Sequence, residues 1–392
     1  MTALPIPLAE SQAHSQQLRD LIAQKIVAAG GWISFAEFMH IALYAPRLGY
    51  YSGGAQKFGK EGDFVTAPEI SPLFARTIAR QASQILAITQ GSILGLNILE
   101  LGAGTGKLAA DLLLELAELK QLPNQYFILE VSDHLRQIQR ETCQAKLPMP
   151  LFEKLVWLEK LPENFIGLIL ANEVLDALPV HLVVKNKGEL FERGVAFDHD
   201  FVWQEKPLKN NDIAQEADGY CLPEQYLTEF CPAANGLVRS LADALQQGVI
   251  LFIDYGFGAS EYYHPQRSEG TLMCHFQHFA HSNPLINIGL QDITAHVNFT
   301  QIALACEAHG ISLAGYVSQA QFLINCGILD ILAKVSPTDI ARYLPLSTAV
   351  QKLLSPAEMG ELFKVIAFTK NTGKNMSSPL LGFTSGDKSH TL

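Results

Sequence analysis
Residues 97–107, NILELGAGTGK, constrain the fold of this chain more tightly than any other segment: an apolar run passes through three glycines spaced two apart straight into a helical pattern. Strand, glycine turn and helix in that order open a βαβ unit, whose turn leaves backbone N–H groups and a helix N-terminus facing a ligand. The helix expected over residues 107–122 carries Leu108, Leu112, Leu116 and Leu119 on one face, and Pro123 ends it. A Walker-type phosphate loop needs a glycine where Leu101 stands and a hydroxyl where Leu108 stands, so ATP chemistry is disfavoured. A dinucleotide loop wants its third glycine where Lys107 stands, which makes NAD the weaker reading.

Further apolar runs repeat the alternation. Strands are expected at residues 97–101, 125–131, 155–158, 165–171, 248–255, 311–318 and 362–369, separated by helical stretches, which predicts an α/β fold with a mostly parallel sheet covered on both faces. Residues 1–90 read as a helical cap, in which Ser34 and Glu37 form a capping box and Pro46 stops the second helix near Ala45. This cap contains a glycine-rich aromatic loop at residues 49–72. The sheet domain is expected over residues 91–370, with insertions at about 180–222, where Asn186-Lys187-Gly188 marks a hairpin, and about 257–299. Residues 371–392 are Gly/Ser-rich and expected to be a flexible tail.

Composition excludes several classes. With 48% apolar and 17% charged residues the chain is not globally disordered, and 28 Lys and Arg against 39 Asp and Glu argue against general nucleic-acid binding. A net charge of −11 suits a cationic or neutral partner instead. Membrane insertion is not expected, since no window reaches about 18 uninterrupted apolar residues. The first twenty residues hold a single Arg and no apolar signal core, so a cytoplasmic location is expected. The six cysteines contain no C-x-x-C pair and read as reduced core thiols. Helical spacing would bring Cys274 near His278, and His278 near His281, but no standard zinc pattern fits and no metal is expected.

The carboxyl ends of the strands hold the candidate ligand groups. Glu100, Gly102, Gly104 and Gly106 form E-x-G-x-G-x-G, and Glu130 follows the second strand, where a carboxylate can accept from both hydroxyls of a ribose or act as an ordinary capping acid. Asn172 and Glu173 follow the fourth strand, while Asp254 and Tyr255 end the fifth, either facing ligand or buried and hydrogen-bonded. Asp63, Thr66, Pro68 and Glu69 lie in a segment read as a flap over cofactor and acceptor, or as a plain cap with its acids in solvent.

The glycine loop resembles motif I of class I S-adenosylmethionine-dependent methyltransferases. Together with GYYSGGAQKFGKEGDFVTAPEISP, LEVSDHLRQIQ, ANEVLDALPVH, IDYGF and GTLMCHFQHFAHSNPLINIGLQDITAHVNFT, it resembles the family of mitochondrial complex I assembly factor 7, the mitochondrial dysfunction protein A family, over residues 15–370. This resemblance implies a class I methyltransferase fold, seven strands with the last antiparallel, S-adenosyl-L-methionine as cofactor, and symmetric dimethylation of a protein arginine; in mitochondrial members the implied substrate is a complex I subunit. The loop here reads GAGTG rather than GPGRG, which touches no glycine.

Given an arginine acceptor, Glu173 and Asp176 are the expected guanidinium fork, with Asn172 beside them and Glu173 the principal clamp. The plainer alternatives are a helix-start acid for Asp176 and a solvated strand-end acid for Glu173. Two rival functions remain open: methylation of another substrate, and an assembly chaperone that uses the fold as a binding surface. Oligomeric state is not legible, a homodimer being one option.

Overall fold
The seven apolar runs all form strands: β1 (Asn97–Leu101), β2 (Tyr126–Leu129), β3 (Leu155–Leu158), β4 (Phe165–Asn172), β5 (Leu245–Phe257), β6 (Ser312–Ser318) and β7 (Phe363–Lys370). The computed structural model of this chain describes residues 4–53, 66–88, 96–372 and 379–392. They fall into two units, one made of Met1–Phe64, Leu175–Gly236 and Ala259–His296, the other of Val65–Val174, Leu237–Gly258 and Val297–Leu392.

In the second unit the strands lie in the order β6-β7-β5-β4-β1-β2-β3, with the two-residue strand Val297–Asn298 added beside β5. β5, β4, β1, β2 and β3 are mutually parallel, whereas β7 runs antiparallel to both β5 and β6. The chain order reverses between β1 and β4, so the crevice at their carboxyl ends is the place where an open α/β sheet binds its ligand. The β4 run FIGLILA is buried throughout, as expected of a strand covered on both faces. Helix Lys107–Glu118 packs Leu108, Leu112 and Leu116 into the core. It stops before Pro123 because Lys120 turns into the left-handed region at φ 56°, a common helix ending.

Residues 66–88, assigned to the cap on sequence, belong to this unit. Helix Pro72–Ile88 carries Phe74, Ile78, Ala82 and Ile85 at helical spacing, and all four join the core that backs the sheet. The expected flexible tail is also corrected. Residues 379–392 pack on this unit: Phe383 is buried and meets Phe322 edge-on at 5.7 Å, and Asn325 Nδ2 donates to Gly382 O (2.8 Å) and Ser385 O (2.9 Å). Two apolar anchors, Leu380 and Phe383, outweigh the polar composition around them.

The first unit unites the expected cap with both insertions. Ser34 Oγ accepts from Glu37 N (3.1 Å) and opens helix Phe35–Tyr44. An antiparallel sheet orders Trp32–Ser34, Glu189–Asp198, His181–Asn186 and Tyr226–Phe230, with Asp200–Pro207 also paired to Glu189–Asp198. The hairpin at Lys187 and Gly188 has φ of 54° and 79°, the pattern of a type I′ turn. Leu18, Ile22 and Phe38 share one core with Leu182, Val195, Cys274 and Ile293, so segments far apart in the chain bury one another. Buried Glu229 ties segment Leu175–Gly236 to segment Ala259–His296: its carboxylate accepts from Thr271 N (2.7 Å) and Leu272 N (3.0 Å), and from the hydroxyls of Thr271 (3.1 Å) and Tyr262 (3.3 Å). The Cys274–His281 stretch is not helical. It is a hairpin, Met273–Phe276 against Phe279–His281, turned by Gln277 and His278 at positive φ. Among the described residues no group of three His, Cys, Asp or Glu is placed to hold a metal ion.

Candidate cofactor and acceptor site
The site is built on the carboxyl ends of β1, β2, β4 and β5. All three loop glycines are left-handed, Gly102 at φ 60°, Gly104 at 53° and Gly106 at 82°, a conformation that costs an L side chain roughly 1–2 kcal/mol. Their surroundings differ. A Cβ on Gly106 would come within 3.0 Å of Gln139 Cα, so this glycine lets the loop approach helix Asp133–Lys146. A Cβ on Gly104 would meet nothing within 4 Å, so that position faces open space.

Side chains brace the loop from beneath. Glu100 is buried in β1 and accepts from Tyr126 Oη (2.7 Å). Burial pushes its carboxyl up to about 7, against the lowering effect of the Tyr126 hydrogen bond and with a further rise from Glu130. On the other side, Thr105 Oγ1 donates to Glu69 Oε1 (2.6 Å) and Lys107 Nζ donates to Glu69 O (3.0 Å), with Glu69 Oε2 at 3.6 Å. Glu69, expected to face the acceptor, is thus tied to the glycine loop. It follows Thr66, the N-cap of the short helix Ala67–Ile70, and buried Pro68. Asp63 lies outside the described residues.

Glu130 follows β2 with both carboxylate oxygens engaged: Oε1 accepts from Ser132 N (2.9 Å) and Oε2 from Gln139 Nε2 (3.0 Å). Burial raises its pKa, opposed by those hydrogen bonds. Gln139 also donates to Gly104 O (3.1 Å), and its Oε1 accepts from Trp157 Nε1 (3.0 Å). Gln139, Trp157, Thr105 and Lys107 were not singled out on sequence. Gln139 did leave a signal, a polar residue within the buried stripe Leu135, Gln139, Cys143.

At the end of β4, Asn172 Nδ2 donates to Glu173 Oε1 (3.0 Å), while Asn172 Oδ1 is buried with no hydrogen-bond partner among the described residues. Glu173 adopts φ 53°, a strained conformation for a side chain of its size. The surrounding backbone imposes it: Glu173 N donates to Ile253 O (2.9 Å) and Val174 N to Asp254 Oδ2 (3.2 Å). Asp254 is buried, and its other oxygen accepts from Tyr255 N (2.9 Å), which makes it the acid that holds the turn. Tyr255 is half-buried, its ring edge-on to Phe363 at 5.2 Å. Val174 Cγ2 lies 3.3 Å from where a Cβ on Gly102 would stand, so this turn and the glycine loop pack together.

Asp176 falls in the other unit of the chain. There it is buried, its backbone carbonyl accepts from Ala295 N (3.0 Å), and its charge adds to those that raise the pKa of Tyr51, after burial itself and the carboxylate of Asp292, to which Tyr51 Oη donates (2.9 Å).

The arrangement fits a nucleoside-bearing cofactor: a carboxylate after β2, open space before Gly104, and an amide oxygen at Asn172 awaiting a donor. Known proteins agree. A family model described as "Putative S-adenosyl-L-methionine-dependent methyltransferase" matches residues 77–317. A COG1565 superfamily member from Burkholderia thailandensis, solved bound to S-adenosyl-homocysteine, is 48% identical with a TM-score of 0.94, each chain covered over 100%. The mitochondrial protein arginine methyltransferase NDUFAF7 of Danio rerio is 29% identical over 95% of this chain and 94% of its own. Its Drosophila melanogaster homologue is 30% identical over 92% of this chain and 87% of its own.

Proposed function
We propose, from the premise that this chain belongs to the S-adenosyl-L-methionine-dependent methyltransferase family, that it methylates an arginine side chain of a partner protein and carries the reaction to symmetric dimethylarginine. When bound, the cofactor supplies an electrophilic methyl group on a sulfonium. The chain's own residues bind and align. Glu130 accepts from the ribose hydroxyls, and the glycine loop with the N-terminus of helix Lys107–Glu118 receives the cofactor's carboxylate.

The observation that carries the acceptor assignment is the Glu173 carboxylate, fixed by Asn172 on a strained turn beside the glycine loop. Such strain persists where the surrounding structure over-determines it, as at sites that must hold a group in place. A guanidinium stays protonated and delocalised. A carboxylate paired to two of its nitrogens draws the charge there and leaves the third better able to attack; the methylated nitrogen then loses its proton to solvent. In-line transfer needs alignment above all, which the rigid β4 end supplies.

The names of the relatives support an arginine acceptor, and the family resemblance makes a respiratory complex I subunit the first partner to test. Glu173→Gln keeps the shape and removes the charge. Its incorporation of labelled methyl into arginine should fall at least about 100-fold, whereas a wild-type rate would remove Glu173 from the acceptor site.

A further inference from the structure
Gln139 makes a connection that neither a packing role nor the glycine motif accounts for. It is completely buried on helix Asp133–Lys146, yet one amide reaches three different elements. Its nitrogen donates both to Glu130 Oε2 after β2 (3.0 Å) and to the carbonyl of Gly104 at the crest of the glycine loop (3.1 Å), and its oxygen accepts from the Trp157 indole on β3 (3.0 Å). A primary amide has two N–H donors, so both are spent, and the orientation of the amide is fixed by Trp157, which can only donate. Glu130 Oε1 is held separately by Ser132 N (2.9 Å). The carboxylate plane is therefore set from both sides.

We propose that Gln139 is a positioning residue for the cofactor: through a single amide it locks the carboxylate of Glu130 and the Gly104 peptide in register, so that the group gripping the ribose and the loop beneath the rest of the cofactor form one preset surface. This rests on Glu130 being the ribose acid. Gln139 itself touches no ligand; it removes the need to order two separate elements when the cofactor arrives. Leu or Met could fill its volume but would leave Glu130 Oε2, Gly104 O and Trp157 Nε1 without their partner in a buried setting.

The test is isothermal titration with S-adenosylhomocysteine on the full chain, for wild type, Gln139→Leu, Gln139→Glu, Glu130→Gln and the Glu130→Gln/Gln139→Leu double variant, with circular dichroism to establish the folded fraction. Gln139→Leu should bind about 10- to 100-fold more weakly. Its effect should shrink to about threefold or less in the Glu130→Gln background, because the carboxylate it positions is gone. Gln139→Glu, nearly isosteric, sets two carboxyl groups against each other. They share a proton at low pH and repel as it is lost, so affinity should fall between pH 6 and 8.5 by about tenfold more than in wild type. Fully additive losses, or a Gln139→Glu affinity that tracks wild type across that range, would overturn the proposal even if Gln139→Leu fails to fold. Wild-type affinity in Glu130→Gln alone would instead remove the ribose assignment beneath it.

Discussion
Glu100→Gln isolates the cost of burying an acid under the glycine loop. In the folded chain the Glu100 carboxyl titrates near 7, chiefly through burial, while in the unfolded chain it returns to about 4.5. Below pH 4.5 both states are protonated and the group contributes nothing to the pH dependence. Between 4.5 and 7 the unfolded chain releases a proton that the folded chain keeps, so stability falls as pH rises. Above 7 both are ionised and the loss levels off; the rise from 4.5 to about 7 corresponds to about 3 kcal/mol. Gln mimics the neutral form and can still accept from Tyr126 Oη, so it carries none of this slope. Urea unfolding of the cofactor-free protein at pH 4.5, 6 and 8 measures it; the wild-type-minus-variant difference cancels Glu229, whose pKa burial also raises, and keeps the Glu100–Glu130 repulsion as part of the Glu100 effect. The variant should gain about 3 kcal/mol on wild type between pH 4.5 and 8. A difference that stays flat with pH would refute the placement of Glu100 as a buried, desolvated acid.

Other perturbations separate chemistry from stability. Glu173→Gly relieves the left-handed strain at φ 53° and should leave thermal stability equal or up to about 1 kcal/mol higher, while methyl transfer is lost. Asp254→Ala strips the acceptor from Val174 N and Tyr255 N, and a loss of about 1–3 kcal/mol in chemical denaturation should accompany a fall in kcat larger than any rise in KM for the cofactor. Gly104→Val should abolish S-adenosylhomocysteine binding by calorimetry yet keep native circular dichroism, since its side chain enters open space rather than the core. Phe383→Ala should cost about 3–5 kcal/mol in urea unfolding, where a loose tail would cost nothing.

The sheet was legible in the sequence because its determinants are local. Each strand is a short apolar run closed by a turn or proline, and the loop glycines announce their left-handed backbone directly. What escaped depends on residues distant in the chain. Leu18, Val195 and Cys274 reveal nothing alone of sharing a core, so the cap and the two insertions read as separate additions. Spacing around Cys274 fits a helix as well as a hairpin, and the pairing with Phe279–His281 and Asp292–Thr294 decides it. At the site, the positions of Glu130 and Glu173 after parallel strands were legible, whereas the contacts of Glu69 and Asp254 depend on partners far along the chain: Lys107 and Thr105 for one, Val174 for the other. Gln139 left only the faint signal of a polar residue inside a buried stripe, because a single glutamine on a polar helix carries no motif.

The most direct test of arginine methylation supplies purified protein and S-adenosylmethionine labelled in its methyl group to a cell extract lacking the gene, then analyses the total hydrolysate for methylated amino acids. Label in symmetric dimethylarginine, absent with Glu173→Gln, is the expected result. Label confined to lysine or to small molecules, or an unchanged arginine signal in the variant, would contradict it.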